Sequence, residues 1–431
     1  MKKITNRAVS VLLIAALIIG GMVVYVLRYV DEGRDWALYF ARANSGSTGV
    51  MTDRNGALLA AFDATTNAYS DDELTRISCY HVTGDYWGRT GTGALTFFWD
   101  ELHDFSLLTG TTRSESVNLW LNIDAELNKV AYQALNGRKG AVLLCDYRTG
   151  ELLCMVSGPS VDPLDADAEP PEGAYINRCL SAAFTPGSVF KLITAAAAIE
   201  NISDIYDRTF YCEGVYEIAG VPIKCSGTHY TQTFEQALAN SCNVAFAQIA
   251  VMLGQDTMVE YVKKYGFLDS QSLDGIPTAA GSYPQEFVGD PELGWSGIGQ
   301  STDLVCPYSM LRFVSAVGNG GRLCEPKLIN DGKSAKTVSF MKAGTAEQLA
   351  SMMSYNVAAH YGGESNFPGL KLCAKTGTAE LGDGTSHAWF AGFLQDEEHP
   401  YAFVVMIEQG GGGLSAAGSL ANTLLQAAVN R

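Results

Sequence analysis

The longest apolar stretch comes first. Ala8 to Leu27 runs 20 residues without a charge, enough to cross a hydrocarbon core of about 30 Å as a helix. Lys2, Lys3 and Arg7 precede it, and basic flanks stay cytoplasmic. The pattern therefore predicts a cytoplasmic tail over 1–7, an anchor over 8–27 and export of everything beyond. Ala41-Arg42-Ala43 has the form of a signal-peptidase site. It lies well past the apolar run, which is itself longer than the ~7–15 residues of a signal peptide, so an uncleaved anchor is the better reading. From 28 to 116 the chain is rich in Gly, Thr and aromatics, and its clearest element is a hairpin around Asn55-Gly56. After Val117 the periodicity becomes helical from Asp124, a candidate cap, to Leu135. Two apolar runs follow, Gly140 to Asp146 and Glu151 to Ser157, predicting a buried antiparallel hairpin. Helical signals occupy the middle at Ser188–Ile199, Phe234–Asn240 and Val244–Leu253. Strand signals return at Lys371–Lys375, Ala388–Leu394 and Tyr401–Glu408, and an Ala/Leu-rich helix begins near Leu414. Strands from both ends of 117–431 around a helical middle predict one sheet built from distant pieces, an α+β layout.

Composition narrows the partners. With 47% hydrophobic residues the chain can bury a sizeable core, and a formal charge of −17 disfavours nucleic acid and anionic lipid. Ten cysteines follow no disulfide framework, and several sit inside apolar strands as small hydrophobes, as at Cys145 and Cys154. Cys212 and Cys225 flank a candidate hairpin and could bridge, which sequence alone does not decide. No Cys/His group has zinc spacing, so no metal site is expected. Glu408 to Gly413 reads as a mobile connection, because four glycines cannot hold a strand. Trp389 and Phe390 read as core strand residues.

The candidate chemistry lies in three short motifs. Ser188-Val189-Phe190-Lys191 opens an alanine-rich helix, placing a hydroxyl and an amine on one face near free backbone N–H groups. A partly buried, less charged lysine can activate such a serine. Ser241-Cys242-Asn243 falls between two helical segments, where a loop can present a hydroxyl and an amide to a cleft. Lys375-Thr376-Gly377-Thr378 ends a strand-like run; its glycine lets a substrate approach the backbone, and its lysine and hydroxyls can hold a carboxylate. Singly, each has a plainer reading: a helix cap, another cap, and a strand end with a surface lysine. In this order, together, they match the set shared by penicillin-binding proteins and class A β-lactamases.

Further matches extend this set: Asp53-Arg54-Asn55-Gly56, Asn122-Ile123-Asp124, Asn177, Gly299-Gln300, Asn319-Gly320-Gly321, and His387-Ala388-Trp389-Phe390 after Glu380. With them the chain resembles class B penicillin-binding proteins from Gly49 onward, most densely after Val117. The resemblance implies a serine β-lactamase/transpeptidase-like domain over 117–431, with an antiparallel sheet flanked by helices plus an all-helical lobe. A small β-rich, pedestal-like domain over 28–116 and one transmembrane helix would precede it. It also implies a peptidoglycan D,D-transpeptidase on the outer face of the cell membrane. Ser188 would attack stem peptides ending in D-Ala-D-Ala, Lys191 would take its proton, Ser241 would relay a proton to the leaving D-alanine, and Asn243 would position the substrate amide. Lys375, Thr376 and Thr378 would engage the terminal carboxylate beside Gly377, with Ser188 and Thr378 N–H groups as oxyanion hole. No cofactor is implied. β-Lactams would acylate Ser188, and the partner implied is a polytopic glycan polymerase of the shape, elongation, division and sporulation group. A D-alanyl carboxypeptidase would use the same acyl-enzyme; a scaffold or sensor would bind without turnover. A class A β-lactamase needs a glutamate with asparagine four residues on, and none lies between Asn243 and Lys375.

Overall fold

The computed structural model describes residues 2–44, 49–62, 67–85, 87–102, 105–106, 110–111, 117–165 and 169–431. Two compact units divide the chain, and they interleave in sequence rather than meeting at one boundary. One holds Met1–Val50, Ala60–Ala68 and Phe98–Asn118; the other holds Met51–Leu59, Tyr69–Phe97 and Leu119–Arg431.

In the first unit a single helix runs from Lys2 to Asn44, and its stretch Arg7–Tyr29 is long and apolar enough to cross a membrane. The side chains from Val9 to Tyr29 are largely exposed.

The second unit is built on a five-stranded antiparallel sheet. Its strands are β1 (Gly140–Asp146), β2 (Leu152–Gly158), β3 (Leu372–Glu380), β4 (Ser386–Leu394) and β5 (Tyr401–Ile407), in the order β3-β4-β5-β1-β2. Pieces more than 200 residues apart thus meet where β5 pairs with β1, Val404 opposite Leu143. Both faces of the sheet are covered, which is why β1 and β2 read as unbroken apolar runs rather than alternating ones. On one face α1 (Ala125–Leu135) and the C-terminal helix Ser419–Val429 bury Leu127, Ala131, Leu424 and Leu425 against Val142, Leu144, Phe403 and Val405. Asp124 caps α1 through Oδ1, which accepts from Glu126 N and Leu127 N. Helix Pro307–Gly318 packs on the opposite face, where Ser315 Oγ lies 3.3 Å from Cys145 Sγ.

Between β2 and β3 lies the helical lobe. Its α2 (Lys191–Asn201) is buried from Lys191 through Ala198, so its alanines serve close packing from all sides. Against it pack α4 (Asn243–Leu253), Gln255–Lys264 and Ala343–His360, and α3 (Phe234–Ala239) packs on α4 and Ala343–His360.

Two sequence expectations change, and one question the sequence left open, the Cys212–Cys225 bridge, is answered. β3 does not stop at Lys375 but continues to Glu380, because Thr376 to Glu380 keep pairing with Phe390 to Ser386 along β4. The glycine-rich stretch after β5 is fastened rather than mobile: Glu408 pairs with Arg178, Gly411 N donates to Ser386 O, and Gly413 N donates to Thr378 Oγ1. Cys212 and Cys225 are not bridged; all ten cysteines are free.

Candidate active site

Ser188 sits in a single 3₁₀ turn, Gly187–Phe190, that feeds directly into α2. The turn presses against β3, and two glycines permit the approach. A Cβ on Gly187, whose φ is 55°, would stand 2.8 Å from Thr378 O; one on Gly377 would stand 2.8 Å from Pro186 O. Gly187 N also donates to Gly299 O, and Trp389 Nε1 donates to Thr185 O from β4. The nucleophile turn is therefore clamped from both sides, and buried Trp389 belongs to the core that holds it.

Lys191, one turn on, is fully buried. Its Nζ donates to Ser188 Oγ at 3.1 Å, Ser241 O at 2.5 Å, Asn243 Oδ1 at 2.7 Å and, more weakly, Ser241 Oγ at 3.4 Å. These acceptors are neutral. Burial consequently disfavours the ammonium and lowers its pKa to about 8, against a smaller upward pull from Cys225 and Cys242.

Ser241 reaches this point because the chain turns sharply between α3 and α4: its φ is 51°, in the left-handed region. The following Cys242 caps α4, its Sγ accepting from Ala245 N, which makes Asn243 the first residue of the helix rather than part of a loop. Asn243 Nδ2 is held by Lys224 O at 3.0 Å, so its Oδ1 faces Lys191. Lys375 arrives from β3, also fully buried, donating to Ser241 Oγ and Thr376 O at 2.9 Å each. Burial and the neighbouring Lys191 charge hold its pKa well below the ordinary lysine range.

Above these two lysines opens a cleft of about 510 Å³, lined among others by Ser188, Ser241, Asn243, Thr376 and Thr378. Lys191 and Lys375 lie beneath its floor, and Gly377 packs against Pro186 instead of lining it. His387 is not in this cleft; its Nδ1 accepts from Gln409 N.

Two features escape a reading of motifs. Tyr361, just past helix Ala343–His360, accepts from Thr376 N through Oη at 3.1 Å and lies 3.1 Å from Thr376 Oγ1, fixing that threonine from behind. No local spacing signals it. The second is a cluster that no linear spacing announces: Cys212, Cys225, His229 and Cys242 bring their ligand atoms within 4.8 Å of one another. They come from a strand end, the connection between two later strands and a helix cap, so the grouping exists only after folding.

The family model of the penicillin binding protein transpeptidase domain matches residues 140–426. Among curated relatives, Stage V sporulation protein D of Bacillus subtilis is 27% identical over 75% of this chain and 53% of its own length. The peptidoglycan D,D-transpeptidase PbpA of Mycolicibacterium smegmatis is 28% identical over 70% of this chain and 69% of its own length. The chain thus spans about half to two thirds of these relatives. Among solved structures, penicillin-binding protein A from M. tuberculosis as a penicillin G acyl-enzyme complex superposes with a TM-score of 0.75 at 23% identity, covering 88% of this chain and 99% of that one. The D,D-transpeptidase domain of a peptidoglycan glycosyltransferase from Eggerthella lenta gives 0.75 at 23% identity, covering 90% and 99%. These likenesses establish the fold, and the family match covers well over half of the sequence: the chain belongs to the penicillin-binding protein transpeptidase family.

Proposed function

We propose that this chain is a peptidoglycan D,D-transpeptidase that cross-links stem peptides through a Ser188 acyl-enzyme, and that β-lactams acylate the same serine. The observation that carries this reading is the buried Lys191 amine, 3.1 Å from Ser188 Oγ, with neutral partners and a pKa lowered to about 8. The names of the relatives and the acyl-enzyme state of the structural neighbour support it.

In this reading neutral Lys191 takes the Ser188 proton as Oγ bonds to the carbonyl carbon between the two terminal D-alanines. The oxyanion is held by the N–H groups of Ser188 and Thr378, each such donor typically lowering the barrier by ~3 kcal/mol. As the C–N bond breaks, Ser241 passes a proton to the departing D-alanine amine; its Oγ bridges the two lysines that can supply one. Asn243 positions the substrate amide. Thr376 and Thr378 take the terminal carboxylate from the cleft wall, with the Lys375 amine supporting it from beneath the floor and Gly377 keeping the strand close to the nucleophile. An amino group from a second stem then attacks the ester and restores Ser188. Residues 1–7 face the cytoplasm, 8–27 form the anchor, 28–116 form a non-catalytic pedestal, and the catalytic part over 117–431 works outside. The partner is a polytopic glycan polymerase contacted through the anchor and pedestal.

The test is intact-mass spectrometry of the detergent-purified chain after exposure to a penicillin, beside Ser188→Ala. A lasting adduct in the parent chain alone supports the reading. Rapid loss with drug turnover identifies a hydrolase, and absence of any adduct identifies a scaffold.

A further inference from the structure

Glu380 ends the strand β3 that carries Lys375, Thr376, Gly377 and Thr378. Side chains along a strand alternate between its two faces, so Thr376, Thr378 and Glu380 share one face while Lys375, Gly377 and Ala379 take the other. Burial follows that alternation: Thr376 is half-buried, Thr378 and Glu380 are exposed, and Lys375, Gly377 and Ala379 are buried. Thr376, Thr378 and Glu380 all line the cleft that holds Ser188.

The backbone at Glu380 is well held. It forms the last rung of the ladder with β4, opposite Ser386, whose carbonyl also accepts from Gly411 N. Beyond it the turn is closed by Leu381 N donating to Thr385 O and Gly384 N donating to Leu381 O, and Asp383 Oδ1 accepts from both Thr385 N and Thr385 Oγ1. Among the described residues the Glu380 carboxylate has no ion-pair partner. Lys224, which also lines the cleft, enters beside Asn243, whose Nδ2 its carbonyl holds, and makes no ion pair with Glu380. A fixed carboxylate on the wall of a binding cleft, with no cation of the protein against it, is placed to read the charge of what enters.

In the catalytic reading above, on which this inference rests, the terminal carboxylate of the donor sits at Thr376 and the scissile carbonyl at the N–H of Thr378. The donor therefore runs antiparallel to β3, and the residue before its two D-alanines continues toward Glu380. The two strand positions from Thr378 to Glu380 cover about 7 Å, a span that one extended residue and its side chain can bridge. We propose that Glu380 makes the cleft selective for donor stem peptides whose residue before the two D-alanines carries a net positive side chain, a diamino acid with a free side-chain amine and no side-chain carboxylate. Opposite charges at such an exposed site favour binding by about two- to fivefold, and a carboxylate on the donor side chain is disfavoured to a similar extent.

The full chain in detergent is exposed to three penicillins that differ at one carbon of the acyl side chain, the group that takes the place of the residue before the two D-alanines. Ampicillin bears an ammonium there, carbenicillin a carboxylate and penicillin G hydrogen. Second-order acylation rates are measured by intact mass for the parent chain, Glu380→Gln and Glu380→Lys, at about pH 6 so that the ampicillin amine is protonated. In the parent, ampicillin is expected to outpace carbenicillin. Their rate ratio should fall about fivefold in Glu380→Gln, fall further in Glu380→Lys, and in the parent shrink toward the Glu380→Gln value at about 1 M salt. Each ratio compares drugs on one variant, so a general loss of activity or of folded protein cancels from it. A ratio that is the same in all three chains overturns the proposal, as does a parent that prefers carbenicillin. If penicillin G acylates the parent while the ratio does not move, the catalytic reading stands and the charge selectivity falls; a parent that none of the three acylates overturns both.

Discussion

The proposed base makes a quantitative prediction about pH. An ordinary lysine with a pKa of 10.5 is neutral in about 1 molecule in 3,000 at pH 7; with its pKa lowered to about 8, Lys191 is neutral in about 1 in 10. The shift multiplies the competent base about 300-fold. The sign follows from the role: only the neutral amine accepts the Ser188 proton. The rate of penicillin acylation should therefore rise about tenfold per pH unit below 7 and level off above about 8. Lys191→Met keeps the apolar stem but has no amine, and should slow acylation at pH 7.5 by about 10²–10⁴-fold. Stopped-flow measurement of adduct formation across pH 5.5 to 9 tests both, with circular dichroism to verify folding. A flat profile in the parent chain, or a folded Lys191→Met variant acylating within a factor of ten of it, would refute the assignment of Lys191 as base.

Further expectations concern the supports of the site. Tyr361→Phe removes the acceptor of Thr376 N and should destabilise the chain by about 1–3 kcal/mol while weakening carboxylate-bearing ligands more than it slows acylation at saturation. Thermal melts and the separation of binding from acylation rate check it. Gly377→Ala sets a methyl 2.8 Å from Pro186 O and 3.1 Å from Val189 Cγ1, so the nucleophile turn must shift. A loss of about 1–3 kcal/mol in stability and a clear drop in acylation rate are expected, read by denaturant titration and adduct kinetics.

What the sequence determined alone is local. The uncharged run from Ala8 to Leu27 reads as a helix long and apolar enough to cross a membrane, because length and apolarity are read directly from the chain. Asp124 reads as a cap because a carboxylate before a helical period satisfies free N–H groups. The apolar runs of β1, β2, β4 and β5 read as strands because both faces are buried. Ser188, Ser241 and Lys375 could be singled out because each lies in a short motif whose members are fixed to one another by the local backbone.

The tertiary structure decided whatever depends on distance between segments. That the strand of Lys375 runs on to Glu380 follows from pairing with β4, and the order of the glycine-rich stretch follows from its contacts with Ser386 and Thr378. The lowered pKa of Lys191 exists only because α2 is buried beneath α4 and beside neutral acceptors brought from 50 residues away. Tyr361 behind Thr376, and the meeting of Cys212, Cys225, His229 and Cys242, have no linear signature. A side chain's charge state and its ligating partners are set by what surrounds it in three dimensions, and neighbours along the chain supply only a fraction of that shell.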